Sequence, residues 1–303
     1  MFGNKLYRHA LRMGRAISAL VVLLWASASL SAQWVDYRTD GIPRTPDGKP
    51  NLSAPTPRTP DGKPDLSGVW AVVGNNYVKA STGQQDTNND GRDVDLFARR
   101  DQFLNLGPSV QGGIPYKPGV REAARALADP SSGKIGEPHT MCLPDGFMVE
   151  HTWGNQLRKI VQTPKLLLLL VEYNSMYRQI FLDGRPLPAD PNPAWSGYST
   201  GHWEGDTLVV QSSGFKDGQW LDTAADPFGE TTKVTERFRR PDFGHLQIDV
   251  TIDDPKSYTK PWNVTVNQVY AADTDLLEYI CLEGEKDLKH MQAGAEKSGG
   301  SPK

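Results

Sequence analysis

Glu236 lies in Lys-Val-Thr-Glu-Arg-Phe, where strand alternation puts it on one face with Val234 and Phe238. A carboxylate on an apolar face must be paired or carry a raised pKa. Arg178 shares a face with Ile180 and Leu182, which makes it the expected partner. Glu172 ends a leucine-rich run and is expected to point the same way, and Tyr198 and His202 share a face just before Glu204-Gly205-Asp206. An interior holding these side chains can move protons on a bound molecule, so Glu236, His202 and Arg178 form the candidate catalytic set. The same residues also suit an internal ion pair that only sets strand register. Arg237, Arg239 and Arg240 are expected on a solvated face or at a rim.

Two clusters have metal-ligand character. Asp86, Asn88 and Asp90, followed by Gly91, match the first half of a calcium loop, in which alternate oxygens and a glycine turn wrap a hard cation. Phe97 stands where the bidentate glutamate belongs, so an ordinary polar loop fits as well. His139, Cys142, Glu150 and His151 are zinc-type ligands around Pro144-Asp145-Gly146, but they complete no standard zinc pattern. No cofactor other than calcium is expected. There is no Gly-x-Ser-x-Gly elbow, Walker loop or dinucleotide fingerprint, which argues against hydrolase, kinase and nicotinamide classes.

The N-terminus bears on where such chemistry would take place. Lys5, Arg8, Arg12 and Arg15 precede an apolar run from Ile17 to Trp25, with small residues up to Ala32, the grammar of a secretory signal peptide. The run is short of the ~20 apolar residues that span a bilayer. Removing residues 1–32 takes the 33 basic residues to 29 against 36 acidic ones, a net of −7. That charge disfavours nucleic acid and anionic membranes, leaving a small molecule as the expected partner. A periplasmic or secreted location is expected, and there Cys142 and Cys281, the only cysteines, most simply form one disulfide. Closing so long a loop stabilises by ~4–5 kcal/mol in the chain-entropy model. A reactive or metal-binding thiol is the alternative.

Residues 43–53 and 57–67 say nearly the same thing twice: Pro-Arg-Thr-Pro-Asp-Gly-Lys-Pro-Asn-Leu-Ser, then the same with Asp65 for Asn51. Their prolines block helix and discourage strand pairing, so residues 33–64 read as a tether that stays off the domain. Residues 65–284 form the domain and 285–303 a polar, disordered tail. Within the domain, Val120 to Ala128 is the one good helix, and residues 81–95 read as a loop. From Leu157 onward strands follow quickly: LRKIVQ, LLLLLVEY, MYRQIFLD, TLVV, KVTERFRR, HLQIDVTI, WNVTVNQVY and LLEYICLE. Leu246, Ile248, Val250 and Ile252 alternate with polar residues, as do Trp262, Val264 and Val266. No helix interrupts the series, so the connections should be local and antiparallel, in a mainly β fold that closes as a barrel or packs as a sandwich.

Asp65-Leu-Ser-Gly-Val-Trp70 resembles the Gly-x-Trp start of a lipocalin-like barrel. The resemblance implies that Gly68 allows close backbone approach and that Trp70 plugs one end. Trp70, Glu172 and Tyr198 are the candidate ligand contacts. Most of residues 60–283 also resembles a family of uncharacterised exported bacterial proteins, through PDLSGVW, KIVQTP, IFLDGR, GHWEGDTLVV, WLD, TERFRR and EYICLE. That family implies fold and export but no chemistry. The expected function is binding of a small, partly apolar molecule inside an antiparallel lipocalin-like barrel. The alternatives are a cofactor-independent lyase, isomerase or hydrolase using the same interior, and a structural envelope module.

Overall fold

The structure, a computed structural model, describes residues 38–72, 106–107, 110–128, 138–144, 146–152, 156–222 and 224–284. The expected signal peptide, residues 33–37 of the tether, the 81–95 loop and the tail at 285–303 lie outside these.

Nine strands close into a barrel: β1 (Gly68–Val72), β2 (Arg158–Gln162), β3 (Leu166–Val171), β4 (Met176–Phe181), β5 (Tyr198–Glu204), β6 (Thr207–Ser213), β9 (Lys233–Arg239), β10 (His245–Asp253) and β11 (Trp262–Tyr270). Two further strands, β7 (Gln219–Trp220) and β8 (Pro227–Phe228), pair with each other outside the ring. The ring closes because β1 pairs with both β11 and β2. The expected alternation is present: Leu246, Ile248, Val250, Ile252, Trp262, Val264 and Val266 are all buried. The expected helix is α1 (Val120–Ala128), and a bond joins Cys142 to Cys281.

Three expectations need correction. First, one joint is parallel: β4 meets β5 through only Ile180↔Ser199 and Phe181↔Thr200, while the other eight joints are antiparallel. The proline-rich connection 182–197 carries the chain back to the end where β4 began, as a parallel pairing requires. Second, LLEYICLE is not a strand. The ring is already closed at β1, so no edge is left for it. Instead its backbone N–H groups are taken by side chains, Leu277 by Glu172 (2.9 Å) and Cys281 by Asn174 (3.0 Å), and it ends in the single turn α3 (Cys281–Gly284).

Third, residues 38–64 are not a free tether. Each repeat copy folds into the same turn. Thr45 and Thr59 N–H groups reach the Lys49 and Lys63 carbonyls, and Asn51 and Asp65 N–H groups reach Pro43 and Pro57. In each copy the arginine then grips an aspartate of the barrel. Arg44 holds Asp273 at 2.5 and 3.1 Å, and Arg58 holds Asp206 at 2.7 and 2.9 Å. Leu52 and Leu66, equivalent residues of the two copies, are both buried. Proline forbids helix and ladder pairing, but a turn that satisfies its own backbone can still lie against a barrel. Gly244 makes room for this strap, since a Cβ there would sit 2.3 Å from the Leu52 Cβ.

Beside the strap, Trp70 is fully buried, its indole N–H on the Leu66 carbonyl (3.0 Å) and Arg240 stacked 4.8 Å from its ring. Gly68, at φ +140°, is needed as expected: a Cβ would meet the Tyr270 ring at 2.3 Å.

Candidate functional site

The lumen is not empty. Phe147, Met148, Glu150, His151 and Thr152, around the single turn α2 (Val149–Thr152), are each at most 1% exposed. Four separate strands reach this segment. Arg158 of β2 and Gln268 of β11 donate to the His151 carbonyl at 3.0 and 3.3 Å, while Arg178 of β4 and Glu236 of β9 meet the side chains of Glu150 and His151. The segment therefore fills the space that sequence alone assigned to a ligand. Phe147 extends toward the outer sheet, stacked 5.7 Å from Phe228 of β8. Residues between Trp70 and Leu157 thus supply an internal plug, tied down nearby by Cys142–Cys281.

Around the plug lies one polar network. Arg178 donates through Nη1 to Glu236 Oε1 (3.1 Å), and its Nη2 closes on Glu236 Oε2. Its Nε donates to Ser199 (3.0 Å), Nη2 to Ser212 (2.8 Å), and Nη1 lies 3.5 Å from Glu150 Oε2. Strands β5 and β6 stand between β4 and β9 in the ring, so the guanidinium must cross their inner face. Ser199 and Ser212, paired across β5 and β6, are small enough to let it pass and supply two acceptors. His151 Nε2 meets Glu236 Oε1 at 2.7 Å.

Burial opposes charge on every member, and their partners decide the outcome. Burial alone would raise Glu236, but Arg178 and His151 outweigh it and hold its pKa down to about 2. Burial lifts Glu150 to about 7, against the pull of Arg178 and the nearby Ser196 hydroxyl. Burial also lowers His151 despite the hydrogen bond with Glu236, so the imidazole is neutral and donates from Nε2. Two acceptor atoms then have no partner among the described residues, Glu150 Oε1 and His151 Nδ1. Burying such groups unpaired is costly, and Arg178, the neighbour of Glu150, lines a cavity.

That cavity, about 460 Å³, opens where β4 and β5 splay apart beyond their two-residue pairing. Its lining includes Met176, Arg178, Trp195, Ser196, Tyr198 and Ser199. A larger hollow of about 760 Å³ lies between Leu187–Pro193 and the outer wall, and its charged residues Asp190, Glu230, Lys233 and Asp253 are exposed.

The expected Arg178–Glu236 pair is formed. Tyr198 borders the cavity, stacked 5.4 Å from Phe181. His202 is a correction: its side chain is exposed on the outer wall, 3.2 Å from Glu204. Both faces of β5 are mixed in polarity, so alternation could not tell which one turns inward. Glu172 accepts backbone N–H bonds from Leu157 (2.7 Å) and Leu277 (2.9 Å), and neither it nor Trp70 lines either cavity. Both were expected as ligand contacts, and neither borders these two cavities. Asp86, Asn88 and Asp90 lie outside the described residues, as does the His139 side chain. Cys142 is in the disulfide and Glu150 and His151 are in the ion network, so no zinc set assembles among the described residues. Sequence reasoning missed Ser199 and Ser212 as site residues, and it placed Glu150 and His151 only in a metal cluster. Their polar character beside Phe147-Met148 was the available signal.

The chain matches no protein-family model and no curated protein. Among the described residues, no helix is long and apolar enough to cross a membrane.

Proposed function

We propose that this is an exported protein that binds a small, partly apolar molecule in the cavity at the β4–β5 seam. The supporting observation is the pairing of that cavity with the polar network behind it. Trp195, Tyr198 and Met176 offer apolar contact, while Arg178, Ser196 and Ser199 place polar groups at its base. Pockets of this size with a few convergent polar groups are where small ligands bind. Export is supported by the basic and apolar N-terminus and by the disulfide.

The test is mass spectrometry of molecules extracted from the purified mature protein and from Trp195→Ala. The reading expects a compound retained by the first and lost from the second. A compound held equally by both proteins, or none held by the first, overturns it.

One observation favours the enzymatic alternative. Glu150 is lifted to about 7 while Glu236 is held near 2, and such a split assigns one carboxyl as acid and the other as base or counterion. Turnover of the retained compound, lost in Glu150→Gln with binding intact, would move the protein into that class.

A further inference from the structure

We propose that the seam cavity takes a short stretch of extended peptide, which pairs as an added strand with the open edge of β4. This rests on the seam cavity being the binding site, and it names the class of molecule that the site takes.

The edge is the first argument. Alternate residues of a strand turn their backbone groups toward opposite neighbours. The Leu182 N–H donates to the Lys165 carbonyl at 2.8 Å, so Ile180, Arg178 and Met176 turn theirs toward β3. Phe181, Gln179 and Tyr177 therefore turn theirs toward the seam. There β5 pairs only at Ile180 and Phe181. The N–H of Gln179 and the N–H and C=O of Tyr177 have no partner among the described residues, which is the condition that invites an added strand. The chain does not cover this edge itself, because the residues before β5 are drawn away from it. Ala194 donates to the Gly214 carbonyl (2.9 Å) and accepts from the Lys216 N–H (3.0 Å). Gly197, at φ +62°, is pressed against Phe215, where a Cβ would sit 2.6 Å from the ring.

The cavity is the second argument. Its lining takes in every residue from Asn174 to Gln179 on one side and from Ala194 to Ser199 on the other. At about 3.3 Å per residue, the open part of the edge accommodates about three residues of a bound chain. Its free groups recur at every second residue, a spacing that an extended main chain matches. Trp195 and Tyr198 offer ring faces to one of that chain's side chains. A free carboxylate end finds no unclaimed buried cation, since the N–H groups of Arg178 go to Glu236, Ser199, Ser212 and Glu150. The bound stretch is therefore internal to a longer chain or blocked at its end.

The test uses acetyl-Thr-Phe-Thr-amide, whose β-branched threonines favour the extended form and whose ring suits the cavity. In the free protein, amide hydrogen exchange should be fast at Tyr177 and Gln179 and slow at Arg178 and Ile180. Peptide at about ten times its Kd should slow the first two about tenfold. Methylated forms of the peptide then examine the pairing. A strand bonds through alternate residues, so a methyl on the phenylalanine nitrogen and methyls on both threonine nitrogens should act unequally. One form should bind about tenfold more weakly and the other close to the parent. Slow exchange at Tyr177 and Gln179 without peptide, equal binding by the two methylated forms, or no binding by the parent overturns the added strand. Undiminished binding to Trp195→Ala overturns it as well. The cavity reading stands or falls separately, on whether the purified protein retains a compound that Trp195→Ala loses.

Discussion

Arg240 at the strapped end of the barrel and Arg178 at the seam are both buried, but their donors end on different kinds of partner. Arg240 gives its hydrogen bonds to backbone carbonyls of Asp65, Ser67, Asp242 and Phe243, with its charge over the rings of Trp70, Phe243 and Tyr270. Among the described residues no carboxylate touches it directly, and burial lowers its pKa only to about 10. Arg178 ends on two glutamates and two serines, and among the described residues two buried acceptors of the network around it have no partner. An arginine satisfied by backbone carbonyls can hold structure but has nothing to exchange. One satisfied by titratable side chains can respond to a proton or a ligand. The strapped end is therefore a lock, while the seam has the chemistry that the proposed binding needs.

The largest effect should come from breaking the seam pair. Glu236→Gln leaves Arg178 buried with Glu150 as its one carboxylate neighbour among the described residues, at a cost of ~3–5 kcal/mol measured by chemical denaturation. A cost near zero would mean that Glu150 takes over as counterion, and that the network is more adaptable than its geometry implies. The wild-type contribution of Glu236, whose folded pKa lies below its unfolded value, is present above about pH 4.5 and lost as pH falls toward 2.

Glu150 sharpens the contrast, because its sign is opposite. Its folded pKa of about 7 exceeds the unfolded 4.5, so its contribution is complete below pH 4.5 and lost as pH rises to 7. Glu150→Gln does not titrate. Its stability relative to wild type should therefore improve by ~3 kcal/mol between those limits, read from paired melts across pH. A difference independent of pH would place the carboxyl in a wetter setting than the structure describes.

At the strapped end the changes should be smaller and should separate the two repeat copies. Arg44 and Asp273 are 14% and 22% exposed in their side chains, against 47% and 64% for Arg58 and Asp206. Exposed pairs contribute little, so Arg44→Ala should lower the melting temperature more than Arg58→Ala, whose effect should fall near the error of the melt. The reverse order would show that the second copy, which runs directly into β1, carries the strap.

Much of this was legible in the residues themselves. Alternation in HLQIDVTI and WNVTVNQVY determined which faces are buried, because a strand has only two faces and one of each was apolar. The same logic placed Glu236 and Arg178 inside, and inside they required each other. Two cysteines gave one disulfide by simple count. Where the two faces are alike, as around His202, alternation carries no information. The tertiary structure alone decided that the prolines of residues 43–64 form a packed strap, because that depends on Asp206 and Asp273, far away in sequence. It alone decided that β4 and β5 pair in parallel and so briefly that a cavity opens between them. It alone put residues 147–152 in the lumen, since a single turn of helix is stable only when a barrel surrounds it. Local pattern reports which way a side chain faces, and only the closed ring reports what it meets there.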